Sequence, residues 1–182
     1  MKIPMTVTPG MRLHFIGIGG IGMSGLAAIC LDRGCLVSGC DAKLGAAAIR
    51  LQEQGASVRI GHHPSHLDER VDLVVYSSAV SAREPERLAA LSARVPMISR
   101  GELLALLSAD RKLIAVAGAH GKTTTSGMAA QLLLETGWDP TIIVGGMMRS
   151  LGTNAHAGRG AYVGGDDEIE GRGHGFAGLL LT

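Results

Sequence analysis

Aromatic side chains are nearly absent: one Trp, two Tyr and two Phe make up 3% of 182 residues. That leaves no stacking surface for nucleic-acid bases. A charge excess is missing too, with 17 Lys and Arg against 16 Asp and Glu for a net +1. Nothing electrostatic therefore argues for DNA, RNA or a membrane surface as partner. No apolar run approaches the ~20 residues of a membrane span, and residues 1–10 (MKIPMTVTPG) lack the apolar core of a signal peptide. These absences predict a soluble, cytoplasmic protein. Cysteine is scarce as well. Cys30, Cys35 and Cys40 recur every five residues, a spacing that matches no zinc pattern and has no fourth ligand close in sequence. They are expected to be reduced core thiols without function.

Hydrophobic residues, at 46%, are ample for a buried core, and the 27 glycines cluster in loops without forming a repeat. The length suits one large domain or one and a half ordinary ones.

Residues 115–125 read AVAGAHGKTTT. An apolar run of strand length, 112–117, enters the stretch, and a helical pattern leaves it through residues 127–135. Gly118 and Gly121 let the backbone turn and bring N–H groups up to an anion, with Lys122 and Thr123 following. Strand, glycine loop, Lys-Thr and helix start together predict a cradle for nucleotide phosphates. The spacing is G-x-x-G-K-T, shorter than the usual G-x-x-x-x-G-K-[ST]. The loop is thus either a different subtype or a plain strand-to-helix turn.

Earlier in the chain, residues 12–16 signal a strand that runs into Gly17, Gly19 and Gly22, which fit G-x-G-x-x-G. Met23, Leu26, Ala27 and Cys30 then share a helical face closed by Gly34, and a strand over 36–39 leads to Asp41. This is a dinucleotide-type βαβ unit: a glycine turn facing a diphosphate, with an acid ~20 residues later able to accept from ribose hydroxyls. Alternatively, the glycines only allow close helix–strand packing. The alternation continues with a helix over 44–54, a strand over 57–60 and a buried strand over 71–76. The latter delivers Ser77 and Ser78 to its carboxyl end, as ligand contacts or as a helix cap. A helix over 84–93 and a strand over 95–98 follow, then a capping box of Ser99 and Glu102 for a helix over 101–107. His62, His63 and His66 lie in a loop without metal-site spacing and are expected to be solvated.

Five strands alternating with helices predict an α/β fold, a Rossmann-like parallel-sheet domain over residues 1–110. Residues 111–182 begin a second, P-loop-type α/β domain with a helix to Gly137, a strand over 141–144, a glycine-rich loop holding Asn154 and Ala155, and a strand over 161–163. From Gly164 onward six glycines with mixed charge and no periodicity predict a loop or disordered tail. The second domain has too few elements to close a core and reads as incomplete.

Taken in order, HFIGIGGIGMSGLA (14–27), VSGCD (37–41), SSAV (77–80), ISRGELL (98–104), AVAGAHGKTTT, and IVGG (143–146) with TNAHAG (153–158) resemble the ATP-dependent muramyl amino-acid ligases. Within them, the G-I-G-G-x-G-M-S-G form points to the alanine-adding branch. The resemblance runs from about residue 12 to 163. It implies ligation of L-alanine to UDP-N-acetylmuramate through an acyl phosphate, in peptidoglycan precursor synthesis, with ATP and Mg²⁺. It also implies that Gly17, Gly19, Gly20, Gly22, Met23 and Ser24 line the UDP-sugar site, with Asp41, Ser77 and Ser78 nearby. Gly118, Ala119, His120, Gly121, Lys122, Thr123 and Thr124 would hold ATP, with Lys122 on the β/γ phosphates and Thr123 on Mg²⁺.

Three departures stand out. Ala119 replaces the family's Thr or Ser. GGDDEIEG replaces E-A-D-E-S-D, which leaves Asp166 nearest the position of a Mg²⁺-binding Glu. The rest of the central domain and the third domain are missing, so this chain alone is expected to be inactive. The alternative is a catalytically dead UDP-sugar-binding module. A nicotinamide-dependent dehydrogenase rests only on G-x-G-x-x-G and Asp41, and a second phosphate loop is unexpected there.

Overall fold

The computed structural model describes residues 6–166 apart from Glu69, Asp110 and Ala117. The chain divides into two compact units between Leu107 and Ser108.

The first unit alternates strand and helix: β1 (Arg12–Ile16), α1 (Ile21–Asp32), β2 (Leu36–Asp41), α2 (Ala46–Glu53), β3 (Ser57–Ile60), β4 (Leu73–Tyr76), α3 (Pro85–Ser92), β5 (Met97–Ser99) and α4 (Arg100–Ser108). All five strands are parallel, in the order β3-β2-β1-β4-β5. Chain order reverses between β1 and β4. At such a switch point the connections leave to opposite faces and open a crevice at the carboxyl ends of the strands.

Leu13, Phe15 and Ile16 of β1, Leu73, Val74 and Val75 of β4, and Met23, Leu26, Ala27, Ile29 and Cys30 of α1 are all buried. A strand apolar on successive residues is covered on both faces, as a central parallel strand must be. The capping box at α4 forms as expected. The Ser99 N–H donates to Glu102 Oε2 at 2.7 Å, and the Glu102 N–H donates to Ser99 Oγ at 3.3 Å.

The second unit holds β6 (Lys112–Val116), α5 (Lys122–Glu135), β7 (Thr141–Met148), β8 (Thr153–His156) and β9 (Tyr162–Asp166). Its sheet order is β6-β9-β7-β8, with β8 antiparallel to β7 and the rest parallel.

Three expectations are corrected. Asn154 and Ala155 lie in β8 and not in a loop, because the β7 edge supplies a hydrogen-bonding partner that local composition cannot reveal. Strand β9 continues through Gly164, Gly165 and Asp166, where the parallel register with β6 outweighs the glycines' poor strand propensity; the rest of the expected tail, residues 167–182, lies outside the described residues. Of the three loop histidines His63 is exposed as expected, but His62 and His66 are not simply solvated. The side chains of His62 and His66 are only 21% and 13% exposed and turn onto a buried carboxylate, Glu86.

Candidate functional site

In the first unit the β1–α1 connection crosses the switch point. Gly17 takes φ +83°, a conformation costly for a side chain, and this turns the chain back over β2. The N–H groups of Gly17 and Ile18 both donate to the Cys40 carbonyl, at 2.9 and 3.0 Å. Asp41 then accepts the Gly19 N–H at Oδ2, 2.8 Å away. The loop is thus fastened to the end of β2 before α1 begins. Gly20 is the N-cap of α1 and brings no side chain to its first turn, which favours an anion there.

Ser77 and Ser78 follow β4 on the other side of the crevice. Ser77 Cβ lies 3.2 Å from the place a Cβ on Gly17 would take, and Ser77 Oγ accepts the Ala79 N–H at 3.3 Å. Ser78 is exposed. The structure therefore brings Gly17, Gly19, Gly20, Gly22, Asp41, Ser77 and Ser78 to one crevice edge. Met23 is buried in the core. Ser24 is buried as well, and its hydroxyl donates to the Ile21 carbonyl at 3.0 Å. These two side chains therefore serve the core and the helix and not the crevice.

One residue was missed in the sequence. Arg100, at the start of α4, reaches across so that its Nη1 lies 2.9 Å from where a Gly22 Cβ would stand. A guanidinium over the first turn of α1 adds fixed positive charge to the glycine loop. The capping box in ISRGELL marked the helix start, but nothing local marked where this arginine points.

In the second unit Gly121 is the N-cap of α5 with φ +78° and no side chain to cap it. Lys122 Nζ donates to the Gly118 carbonyl at 2.7 Å and holds the loop in a closed turn. Ala119, His120, Gly121, Thr123 and Thr124 are exposed. Thr123 sits against β7, its Cγ2 2.9 Å from where a Gly146 Cβ would stand. The β9 register sets Asp166 opposite Val116, the last residue of β6, so its backbone lies beside the entrance to the phosphate loop. The Thr123 hydroxyl and the Lys122 charge stand beside the N-terminus of α5, which has no side-chain cap, a donor set that fits nucleotide phosphates with a hard cation.

A third group was not legible at all. His14 on β1, Cys40 on β2 and Glu86 on α3 are buried at 1%, 0% and 0% exposure. Glu86 Oε2 accepts from the Cys40 thiol at 2.5 Å and lies 3.4 Å from His14 Nε2. Its Oε1 accepts the His63 N–H at 3.0 Å and lies 2.7 Å from His66 Nδ1. Burial pushes the Glu86 carboxyl up, but hydrogen bonds from His14, Cys40 and the His63 N–H outweigh it and hold it at about 2. Burial, reinforced by the Glu86 charge, pushes the Cys40 thiol well up.

A profile of the Mur ligase family, catalytic domain, matches residues 12–112, more than half the chain. The chain belongs to the Mur ligase family. Its members are ligases that form amide bonds at the expense of ATP. Among curated relatives, the UDP-N-acetylmuramate–L-alanine ligase of Desulforamulus reducens is 49% identical over 153 residues, 84% of this chain and 33% of that protein. The protein of the same name from Methylococcus capsulatus is 50% identical over 152 residues, 84% of this chain and 32% of its own length.

The solved structure of the UDP-N-acetylmuramate-alanine ligase of Thermotoga maritima superposes with a TM-score of 0.80 at 33% identity, covering 86% of this chain and 36% of that one. The chain spans about a third of the length of these curated relatives. The α/β fold and the parallel five-stranded sheet are those of a Mur ligase. Among the described residues no helix is long and apolar enough to cross a membrane.

Proposed function

We propose that the chain is the front portion of a UDP-N-acetylmuramate–L-alanine ligase acting in cytoplasmic peptidoglycan precursor synthesis, with residues 1–110 binding the sugar nucleotide and residues 111–182 beginning the ATP-binding domain. One observation carries the reading. The glycine loop lies at the switch point, is fastened by Cys40 and Asp41, and receives the Arg100 guanidinium over Gly22. A diphosphate there meets helix N–H groups and a fixed cation together. Asp41 Oδ1, which otherwise accepts only a long 3.4 Å bond from the Lys43 N–H, would serve as a further acceptor for ribose hydroxyls.

In the second unit the Lys122 ammonium and the first-turn N–H groups of α5 would hold the β and γ phosphates. Thr123 and Asp166 are the residues that would hold Mg²⁺. That ion, when bound, neutralises phosphate charge and polarises the γ-phosphoryl group. The muramate carboxylate oxygen forms a bond to the γ-phosphorus as the bond to the ADP oxygen breaks. The L-alanine amine then attacks the acyl carbon, inorganic phosphate leaves, and an amide remains. An anionic carboxylate approaching anionic ATP needs this positive charge in place beforehand. Ala119 offers no hydroxyl to the phosphates, so the loop relies on backbone and Lys122.

The chain alone is a binding module without turnover in this reading, since it spans a third of its relatives' length. Calorimetric titration with UDP-N-acetylmuramate, then with ATP and Mg²⁺, tests it. Heat and a thermal shift with the sugar nucleotide are expected, and their absence overturns the assignment of the first unit. Phosphate release that requires ATP, UDP-N-acetylmuramate and L-alanine together would overturn the claim of inactivity.

A further inference from the structure

We infer that His14, Cys40, His62 and Glu86 form a closed site for one thiophilic divalent cation of the zinc class, separate from the nucleotide loops. A nitrogen of His14, the Cys40 sulfur and a Glu86 oxygen all lie within 4.8 Å of one another. His62 stands beside this trio as a candidate fourth ligand: its Nδ1 is 3.0 Å from Cys40 Sγ and 3.9 Å from Glu86 Oε2. Ligands around a tetrahedral zinc with Zn–S of about 2.3 Å and Zn–N or Zn–O of about 2.0 Å stand about 3.3–3.6 Å apart. The observed spacings bracket that range. The shortest belongs to the thiol–carboxylate pair, which a shared proton draws together and which a metal would spread as it displaces the proton.

The surroundings of His14 allow a metal to take a proton's place. Ser38 Oγ lies 2.9 Å from His14 Nδ1 and 3.5 Å from the Leu13 carbonyl. Without metal, the Ser38 hydroxyl donates to Nδ1 and the Nε2–H donates to Glu86. A metal at Nε2 displaces that proton, and Nδ1–H then donates to Ser38 Oγ as the hydroxyl turns to the Leu13 carbonyl.

The supports are those of a metal centre too. Ser38 fixes the His14 ring, while His66 and the His63 N–H hold the other Glu86 oxygen. An ion has a way in: a cavity of about 560 Å³ reaches His14 and His66, and the His62 side chain is 21% exposed. With His62 turned in as the fourth donor no position stays open, which would make the site structural and not catalytic. Bound there, the ion would pin the end of β2 to α3. The Cys40 carbonyl holds Gly17 and Ile18, so the ion would stiffen the floor of the glycine loop.

The test is a Co²⁺ titration of the reduced, metal-free 182-residue chain without oxygen. One equivalent should give a near-ultraviolet thiolate-to-cobalt charge-transfer band with the intense visible bands of four-coordination, and Zn²⁺ should bleach both. Cys40→Ser should lose the charge-transfer band, whereas Cys30→Ser and Cys35→Ser should keep it. In case Cys40→Ser fails to fold, X-ray absorption of the zinc-loaded native chain should show one sulfur and three nitrogen or oxygen scatterers. Only the pale spectrum of six-coordinate cobalt, a zinc shell without sulfur, or a charge-transfer band that survives in folded Cys40→Ser would each overturn the site.

Discussion

The Asp41 carboxylate accepts the Gly19 N–H at 2.8 Å across 22 residues of sequence, so the acid that ends β2 is also the brace of the glycine loop. A hydrogen bond to a charged acceptor contributes about 1.5–3 kcal/mol, and less where water reaches it, as it does at half-buried Asp41. Asp41→Ala should therefore lower stability by about 1 kcal/mol and weaken UDP-N-acetylmuramate binding. Asp41→Asn retains an acceptor and should recover most of the stability. Thermal melts with calorimetry on both variants check this; equal melting of Asp41→Ala and the native chain would show that the brace carries no weight.

Gly22 and Arg100 make a second pair. An alanine Cβ at position 22 would stand 2.9 Å from Arg100 Nη1 and 3.1 Å from its Cδ. The obstacle is the far end of a flexible side chain, so Gly22→Ala should fold but push the guanidinium aside. Sugar-nucleotide affinity should fall about tenfold, matching the loss of one charge-assisted contact. Arg100→Ala should lose a similar amount, and the double variant little more than either. Additive losses in that cycle would mean the two residues act independently.

Much of this architecture could be read from residues in order. The β1–α1–β2 unit carries its own punctuation in Gly17, Gly34 and Asp41, and α4 announces itself through Ser99 and Glu102. What escaped reading depends on distance along the chain. The strand identity of Asn154 and Ala155 comes from the β7 edge. His14 and Glu86 meet across 72 residues, and Cys40 joins them from β2, so the even five-residue spacing of the cysteines carried no information about it. Arg100 was visible as a residue but not as a direction. Local signals fix elements; the switch point decides which side chains converge.

Lys122 makes the third prediction. Its ammonium rests on the Gly118 carbonyl at 2.7 Å, and nucleotide phosphate would exchange that neutral acceptor for a charged one. Lys122→Met keeps the stem's packing and removes the charge, so ATP–Mg²⁺ affinity should fall at least tenfold. Titration with UDP-N-acetylmuramate should be unchanged, because that loop belongs to the other compact unit. Unaltered ATP binding in the variant would remove Lys122 from the phosphate site.

The buried carboxylate gives the last prediction its sign. Glu86 sits at about 2 in the folded protein against an ordinary 4.5. Folding thus favours its ionised form, and the stabilisation is complete above pH 4.5. It is lost as pH falls from there towards 2, because the unfolded chain binds the proton first. The shift corresponds to on the order of 3 kcal/mol, large for one group because hydrogen bonds from His14, Cys40 and the His63 N–H outweigh its burial. Glu86→Gln, melted in parallel with the native chain in chelator, should be less stable by that order at pH 6. The gap should narrow steadily below pH 4.5. A gap that stays constant down to pH 3 would mean that packing at position 86, and not its charge, holds α3 to the sheet.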